Sequence, residues 1–272
     1  MGRHVMEALG MSRVVIEDGK VTEVGEPKVG YCPLFKKYRN IDRIDADTVR
    51  ENIEFRIREF GMCTEMREIR MRDFLSFGVS EMMAKALADG ELDAVVLASD
   101  GCGTAVIDDP EIVQGMGGRI SGLCETSPIG RVIDGIGRER VLDPEKARID
   151  QMAGVRKALE MGYRRIAVTV ASAGDAEGIR RLCGDGAVIF AVHTTGVSEE
   201  DARSYFDTCD VITACASRYV REVAAERGAL QAGTKVPVYG ASDTGRRIII
   251  SKMEELGRTP DNVLEDGPRP LL

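Results

Sequence analysis

Several features that would mark a membrane protein or a nucleic-acid-binding protein are missing from this sequence. No apolar stretch approaches the ~20 residues that span a bilayer, and the first residues lack the apolar segment of a signal peptide. The net charge of -8 and the pI near 5.1 argue against nucleic acid as the main partner, because phosphate binding needs a concentrated basic face. We therefore expect a cytoplasmic protein with neither a nucleic-acid nor a membrane partner.

The cysteines lack the spacing of a disulfide framework. There are 7 of them, an odd number, and no CxxC pair occurs, so we expect reduced thiols. Metal or iron–sulfur ligation by Cys102, Cys124 or Cys215 stays open, since it would depend on how the fold brings them together. No metal site is predicted, and the sequence identifies no cofactor.

Complete nucleotide-binding motifs are also missing. Residues 101–103 read Gly-Cys-Gly without the third glycine that a dinucleotide fingerprint requires, and no P-loop is present. A nicotinamide cofactor is therefore weakly supported. What the sequence does have is 272 residues with 43% hydrophobic content, enough for one large domain, alone or with an appendage.

The segment 100–128 holds most of the unusual chemistry. It follows an apolar run at residues 94–98 that predicts a strand buried on both faces. Directly after this run come a carboxylate, two glycines, a thiol and a hydroxyl, at residues 100–104. A second glycine cluster occupies residues 114–119, where glycines would let a backbone approach a ligand closely. The alternative is a mobile surface loop.

Local patterns predict the order of the elements. Residues 13–24 read as a β-hairpin turning at Asp18 and Gly19, within an N-terminal region 1–45 that packs on an α/β domain 46–272. A helix is predicted from about Asp73, with Phe74 and Leu75 on its apolar face. Apolar strands alternate with helices in the second half of the chain. This alternation predicts a mostly parallel, doubly wound, Rossmann-like sheet with the N-terminal β-hairpin as an appendage.

Five predicted strands end in small polar loops, at residues 99–102, 172–175, 193–196, 215–218 and 240–246. The carboxyl ends of parallel strands share one edge, where ligands bind. Each loop alone is explained by turn formation and helix capping. Together they favour a small anionic ligand, since helix starts and Arg side chains suit phosphate or carboxylate.

The candidate residues follow from this edge. Cys102 is the candidate nucleophile or metal ligand, His193 the candidate general acid or base, and Asp100 its carboxylate partner. The alternatives are a cysteine acting as a small hydrophobe at a tight turn and a structural histidine. The predicted ligand contacts are Gly101, Gly103, Thr104, Gln114, Gly115, Gly117, Gly118, Arg119, Ser172, Gly174, Thr194, Ser217, Arg218, Ser242 and Arg246.

Several stretches carry a resemblance to a known family. They read VVIEDGKVTEVGEP at residues 14–27, YCPLF at 31–35, NIEFRIREFGMC at 52–63, DFLSFGVSEMM at 73–83, GTAVIDDPEIVQGMGGRISGLCETSPIGRVI at 103–133 and IDQMAGVRKALEMGYRRIAVTV at 149–170. They resemble the methanogenesis marker protein 8 family of methanogenic archaea. The resemblance implies a cytoplasmic archaeal protein linked to methane metabolism, but it carries no catalytic residues with it.

Two functional hypotheses follow. In the first, the protein binds, and as an enzyme transforms, an anionic cofactor or precursor at the sheet edge. In the second, implied by the resemblance, it is a non-catalytic factor for the assembly or activation of methyl-coenzyme M reductase, with maturation proteins as partners. A homo-oligomer is expected in either case.

Overall fold

The computed structural model of the chain describes residues 2–72, 77–120, 122–260 and 266–272. Its strands are β1 (Arg3–Glu7), β2 (Arg13–Glu17), β3 (Lys20–Val24), β4 (Ala94–Ser99), β5 (Gly103–Ile107), β6 (Gly122–Glu125), β7 (Ile166–Val170), β8 (Ala187–Ala191), β9 (Val211–Thr213), β10 (Leu230–Ala232) and β11 (Val238–Gly240). Its helices are α1 (Pro33–Arg39), α2 (Ala46–Phe60), α3 (Val79–Ala88), α4 (Pro110–Gly117), α5 (Gly130–Ile136), α6 (Gln151–Glu160), α7 (Ala173–Cys183), α8 (Glu199–Thr208), α9 (Arg218–Arg227) and α10 (Asp243–Glu255).

The chain divides into two compact units. The first unit comprises Met1–Lys28 and Asp45–Ile166, and the second comprises Val29–Ile44 and Ala167–Leu272. The predicted N-terminal region therefore contributes to both, with its hairpin in the first unit and α1 in the second. The predicted helix start at Asp73, Phe74 and Leu75 lies outside the described residues.

The predicted hairpin is confirmed, but it is not an appendage. Its turn has positive φ at Asp18 (50°) and Gly19 (74°), as the sequence pattern requires. The hairpin strands belong to a four-stranded antiparallel sheet in the order β3-β2-β1-β6. Its central apolar residues, Val14 to Ile16, are at most 1% exposed, so the hairpin is part of the core of the first unit.

The other strand pair of the first unit is also antiparallel. β4 is followed by a tight turn and then β5, with Ser99 opposite Gly103. Gly101 and Gly103 take positive φ values of 81° and 63°, which a glycine adopts without strain. The predicted loop after β4 is therefore a hairpin turn, not the start of a crossover to a parallel strand.

Strand directions in the second unit are mixed. The order is β10-β11-β9-β8-β7, with β8 and β9 parallel and β11 antiparallel to both β9 and β10. The predicted mostly parallel, Rossmann-like sheet is therefore wrong. The reason is the three-residue strand β10, which returns the chain after α9 and reverses the direction of β11.

Candidate functional site

Asp100 is a buried structural anion in the β4–β5 turn. Its carboxylate accepts hydrogen bonds from Arg67 Nε at 3.0 Å and from the Cys63 backbone N–H at 2.6 Å. Burial alone would raise the pKa of Asp100, but the Arg67 charge and these hydrogen bonds outweigh it and lower the pKa. The carboxylate is therefore ionised and already satisfied by the protein.

Cys102 lies in the same turn with no exposed surface. Its Sγ is 3.3 Å from the carbonyl oxygen of Gly103, and burial, with Asp100 adding to it, raises the pKa of the thiol to about 12. A thiol that stays protonated is a poor nucleophile and a poor metal ligand. This setting fits the small-hydrophobe alternative better than nucleophilic catalysis.

His4 lies beside this turn and was not identified from the sequence. Its Nδ1 is 2.6 Å from Thr126 Oγ1, and that oxygen accepts a hydrogen bond from the Gly101 backbone N–H at 2.9 Å. The imidazole is 1% exposed, and burial lowers its pKa. A single histidine in a strand gave no sequence signal for this role.

The second glycine cluster forms helix α4 and its end, with contacts that serve packing. A Cβ at Gly115 would lie 2.0 Å from the carbonyl oxygen of Ile69, and one at Gly118 would lie 2.7 Å from that of Gln114. A Cβ at Gly117 would lie 3.3 Å from the Ser80 side chain. These glycines therefore let neighbouring segments of the protein pack closely against the helix. The sequence had predicted that they would let a ligand approach closely.

The polar residues around α4 also have protein partners. Gln114 Nε2 donates to Glu81 Oε1 at 3.0 Å in a buried position. The guanidinium of Arg119 stacks 3.6 Å from the centre of the Phe60 ring and pairs with Glu68.

Two predicted contacts next to the β4–β5 turn are likewise used internally. Thr104 Oγ1 donates to Gln151 Oε1 at 2.7 Å and accepts from the Asp150 backbone N–H at 2.9 Å. A Cβ at Gly103 would lie 2.1 Å from the carbonyl oxygen of Ala147. Both residues hold the segment before α6 against β5.

Three predicted serines are helix N-caps in the second unit. Ser172 caps α7, which contains Gly174, while Ser217 caps α9 and Ser242 caps α10. Ser242 Oγ also donates to Asp210 Oδ1 at 2.5 Å, and Asp210 directly precedes β9. Because β11 runs antiparallel to β9, Ser242 and Arg246 lie at the amino end of β9, away from Ser217.

The parallel pair β8–β9 does bring two predicted loops together. Thr194 Oγ1 donates to the carbonyl oxygen of Thr213 at 2.5 Å, and Thr195 Oγ1 accepts from the Ala216 backbone N–H at 3.2 Å. We call residues 193–195 and 214–217 the β8–β9 rim. It is the part of the predicted site whose loops the described structure joins by direct hydrogen bonds.

Two candidate reactive side chains are exposed at this rim. His193 is exposed and has a φ of 55°, a left-handed conformation that is uncommon outside glycine and more frequent in Asn, Asp and His. Cys215 is exposed as well. By contrast, Thr194 and Ser217 are buried and stabilise the rim loops from the protein interior.

Arg221, in α9, contacts the rim and was not identified from the sequence. Its Nη2 donates to the carbonyl oxygens of Ala214 and Cys215, at 3.0 and 2.5 Å, while its buried Nε has no hydrogen-bond partner among the described residues. Burial lowers its pKa. The signal was its spacing: residue 221 lies one helical turn after the cap Ser217, so its side chain reaches back to the turn.

Arg218, which was predicted instead, is turned outward. Its guanidinium is 60% exposed and its Nε is 2.8 Å from Glu222 Oε1. Its backbone N–H donates to the carbonyl oxygen of Leu272 at 2.7 Å, so the first donor of α9 has a partner within the chain.

The described parts of the chain contain no group of three or more His, Cys, Asp or Glu residues placed to hold a metal ion. Within the same residues, no helix combines the length and the apolar character needed to cross a membrane.

The fold and the rim together define a mixed α/β protein with a small polar rim at the ends of the parallel strands β8 and β9. The chain belongs to the archaeal family described as "Uncharacterized protein conserved in archaea (DUF2099)", whose model matches residues 4–254. It is 43% identical, over all of both chains, to "Uncharacterized protein MJ0054" of the methanogen Methanocaldococcus jannaschii. No solved structure matches the chain.

Proposed function

We propose that this protein binds a small ligand carrying a phosphate or carboxylate group at the β8–β9 rim. The observation that carries the proposal is the direct hydrogen bond between the two rim loops, from Ala216 N–H to Thr195 Oγ1 at 3.2 Å. This bond fixes two loops that expose His193 and Cys215 next to the start of α9.

The rim favours binding over turnover. His193 is the one predicted catalytic side chain that lies at the rim. Desolvation lowers its pKa, so at neutral pH the imidazole is neutral and offers one hydrogen-bond donor and one acceptor. Asp100 and Cys102, the other two, are buried in the first unit. The backbone conformation of His193 adds support, because residues held in sparsely populated conformations cluster at ligand-binding sites.

The metabolic setting we propose is methane metabolism. The support is the resemblance of residues 52–63, 103–133 and 149–170 to methanogenesis marker protein 8, together with the full-length relative in a methanogen. In this setting the ligand is an anionic cofactor or precursor, and the protein is cytoplasmic.

A test is native mass spectrometry of the protein purified under mild conditions from a methanogen host. We expect a bound small anion on the wild-type protein and its loss from Thr195→Val and His193→Ala, because both changes remove rim groups. Glu23 on β3 forms an exposed ion pair with Arg13 on β2, so Glu23→Ala is the matched control and should keep the anion. An anion that stays bound to both rim variants would contradict the proposal.

The same preparation tests the assembly-factor alternative, which the methanogen relative also supports. That alternative predicts co-purification of methyl-coenzyme M reductase subunits or maturation proteins with the wild type and both rim variants alike. The hairpin is built into the core of the first unit, so a partner would have to contact its exposed strand residues. Co-purification without any bound anion would favour the alternative.

A further inference from the structure

We propose that Arg221 supplies the positive charge with which the β8–β9 rim holds an oxyanion. This inference rests on the proposed function and deepens it, since it assigns the recognition of the ligand to one guanidinium. It also defines the ligand class as an oxyanion, either carboxylate or phosphate, that can accept a charge-assisted hydrogen bond from the guanidinium.

The position of Arg221 is fixed by the rim itself. Its Nη2 binds the carbonyl oxygens of Ala214 and Cys215, so the guanidinium cannot leave the rim without breaking both hydrogen bonds. A guanidinium that is already held in place loses less conformational entropy when a ligand binds.

The donors of Arg221 are incompletely used. Among the described residues, neither the buried Nε nor Nη1 has a hydrogen-bond partner. A buried N–H that lacks an acceptor is uncommon and calls for an explanation such as an ordered water or a ligand oxygen.

Within the part of the chain that the structure describes, the charge of Arg221 is also uncompensated. Across residues 2–72, 77–120, 122–260 and 266–272, no carboxylate forms an ion pair with it, and a guanidinium cannot lose its charge by deprotonation. By contrast, Arg218 and Arg227 on the same helix pair with Glu222 and Asp207. A partly buried charge without a counter-ion favours the binding of an anion.

A neutral phenol lies nearby. The ring of Tyr239 is buried, at 4% exposure, and burial raises its pKa although Arg221 acts in the opposite direction. The phenol therefore stays protonated at neutral pH and adds no negative charge that would compensate the guanidinium.

The experiment is a titration of the full chain, enriched in ¹⁵N, with inorganic phosphate and separately with acetate. Two resonances are followed, the Arg221 Nε–H signal and the Ala216 backbone amide. We expect both to shift with phosphate, acetate or both, and the anion that binds more tightly identifies the ligand class. Arg221→Gln should weaken binding about tenfold or more, since a hydrogen bond to a charged group contributes ~1.5–3 kcal/mol.

Matched variants separate the charge from the fold. Arg227→Gln removes an exposed, ion-paired arginine from the same helix and should bind like the wild type, while Arg221→Lys keeps the charge and should retain part of the affinity. If Arg221→Gln fails to fold, the wild-type Nε–H shift and Arg221→Lys decide the question.

The outcomes distinguish the two proposals. A shift of the Ala216 amide with an unmoved Arg221 Nε–H signal, or loss of binding confined to Arg218→Gln, would overturn the role of Arg221 while leaving the rim as a site. If neither anion shifts either resonance of the wild type, both proposals fail.

Discussion

The Nε atom of Arg67 lies 3.0 Å from Oδ1 of Asp100, and neither side chain has any exposed surface. Arg67 Nη1 also donates to the carbonyl oxygen of Glu68 at 2.7 Å, and Ser99 Oγ lies 3.2 Å from Asp100 Oδ1. The pair therefore joins the loop after α2 to the β4–β5 turn. Removing one member of such a pair leaves the other as an uncompensated buried charge.

Arg67→Met should destabilise the first unit strongly. We expect a loss of ~3–5 kcal/mol in the free energy of unfolding, measured by urea denaturation at neutral pH. Arg165→Met breaks the exposed pair with Asp93 and should cost at most ~1 kcal/mol. The double change Arg67→Met with Asp100→Leu should recover part of the loss, because no charge is then left buried, although the Cys63 backbone N–H loses its acceptor. Equal losses for Arg67→Met and Arg165→Met would contradict this account.

The local elements of the fold were predictable from the sequence, but the strand directions were not. The β2–β3 hairpin follows from Asp18 and Gly19, because its turn conformation is a local property. The direction of β5 depends on whether a tight turn or a crossover follows Ser99. The apolar run at residues 94–98 is compatible with either connection, so it does not predict the direction. β10 has three residues, Leu230–Ala232, too few for an apolar pattern to mark it, and without it β11 appears parallel.

The candidate site was predictable in part for a related reason. The residues at the ends of the parallel strands β8 and β9 were identified because parallel strands place their ends together. Asp100 was identified as a chemical group, but its partner Arg67 lies 33 positions earlier and has no motif spacing to it. Arg221 was missed because Arg218, the first residue of α9, fits the expectation of a charge at the helix start. The side chain that contacts the rim is that of Arg221, which lies about one helical turn after the cap Ser217.

His4 should make stability depend on pH. Burial lowers the folded-state pKa of His4 below the ordinary value of 6.5. As pH falls through 6.5, the unfolded chain therefore binds a proton that the folded chain does not bind. The free energy of unfolding must then decrease with falling pH until the folded-state pKa is reached.

The measurement compares urea unfolding at about pH 7.5 and about pH 5.5, where histidine is the side chain that normally titrates. The decrease in stability should be smaller for His4→Gln than for the wild type. Glu23→Ala on β3 removes no histidine and is the matched control, so it should keep the wild-type decrease. His193→Gln should also reduce the decrease, because desolvation lowers the pKa of His193 as well. The interpretation is wrong if His4→Gln shows the same pH dependence as the wild type.

Two helical glycines should respond in opposite directions to substitution by alanine. At Gly115 the new Cβ would lie 2.0 Å from the carbonyl oxygen of Ile69, whereas at Gly174 the nearest atom is the Ser172 Oγ at 3.6 Å. Gly115→Ala should therefore destabilise by ~1–3 kcal/mol or more through overpacking. Gly174→Ala should stabilise by ~0.5–1 kcal/mol, because alanine loses less backbone freedom on folding.

Thermal unfolding of both variants measures these changes. Both glycines were predicted as ligand contacts. A loss of stability at Gly115 in α4, without a loss at Gly174 in α7, would show that Gly115 is needed for packing. A Gly115→Ala protein as stable as the wild type would show that α4 does not need the close approach of Ile69.

Alkylation should divide the cysteines by their surroundings. Cys102 and Cys209 are buried with thiol pKa values raised to about 12, so at about pH 8 only about one thiol in ten thousand is a thiolate at either position. Cys124 and Cys215 are exposed. Brief treatment of the folded protein with iodoacetamide should modify the two exposed cysteines and spare the two buried ones, as read by mass spectrometry of tryptic peptides.

Treatment in denaturant, where all four cysteines react, is the control for peptide detection. Modification of Cys102 as fast as Cys215 in the folded protein would restore Cys102 as a candidate nucleophile, because only an accessible thiolate reacts at that rate.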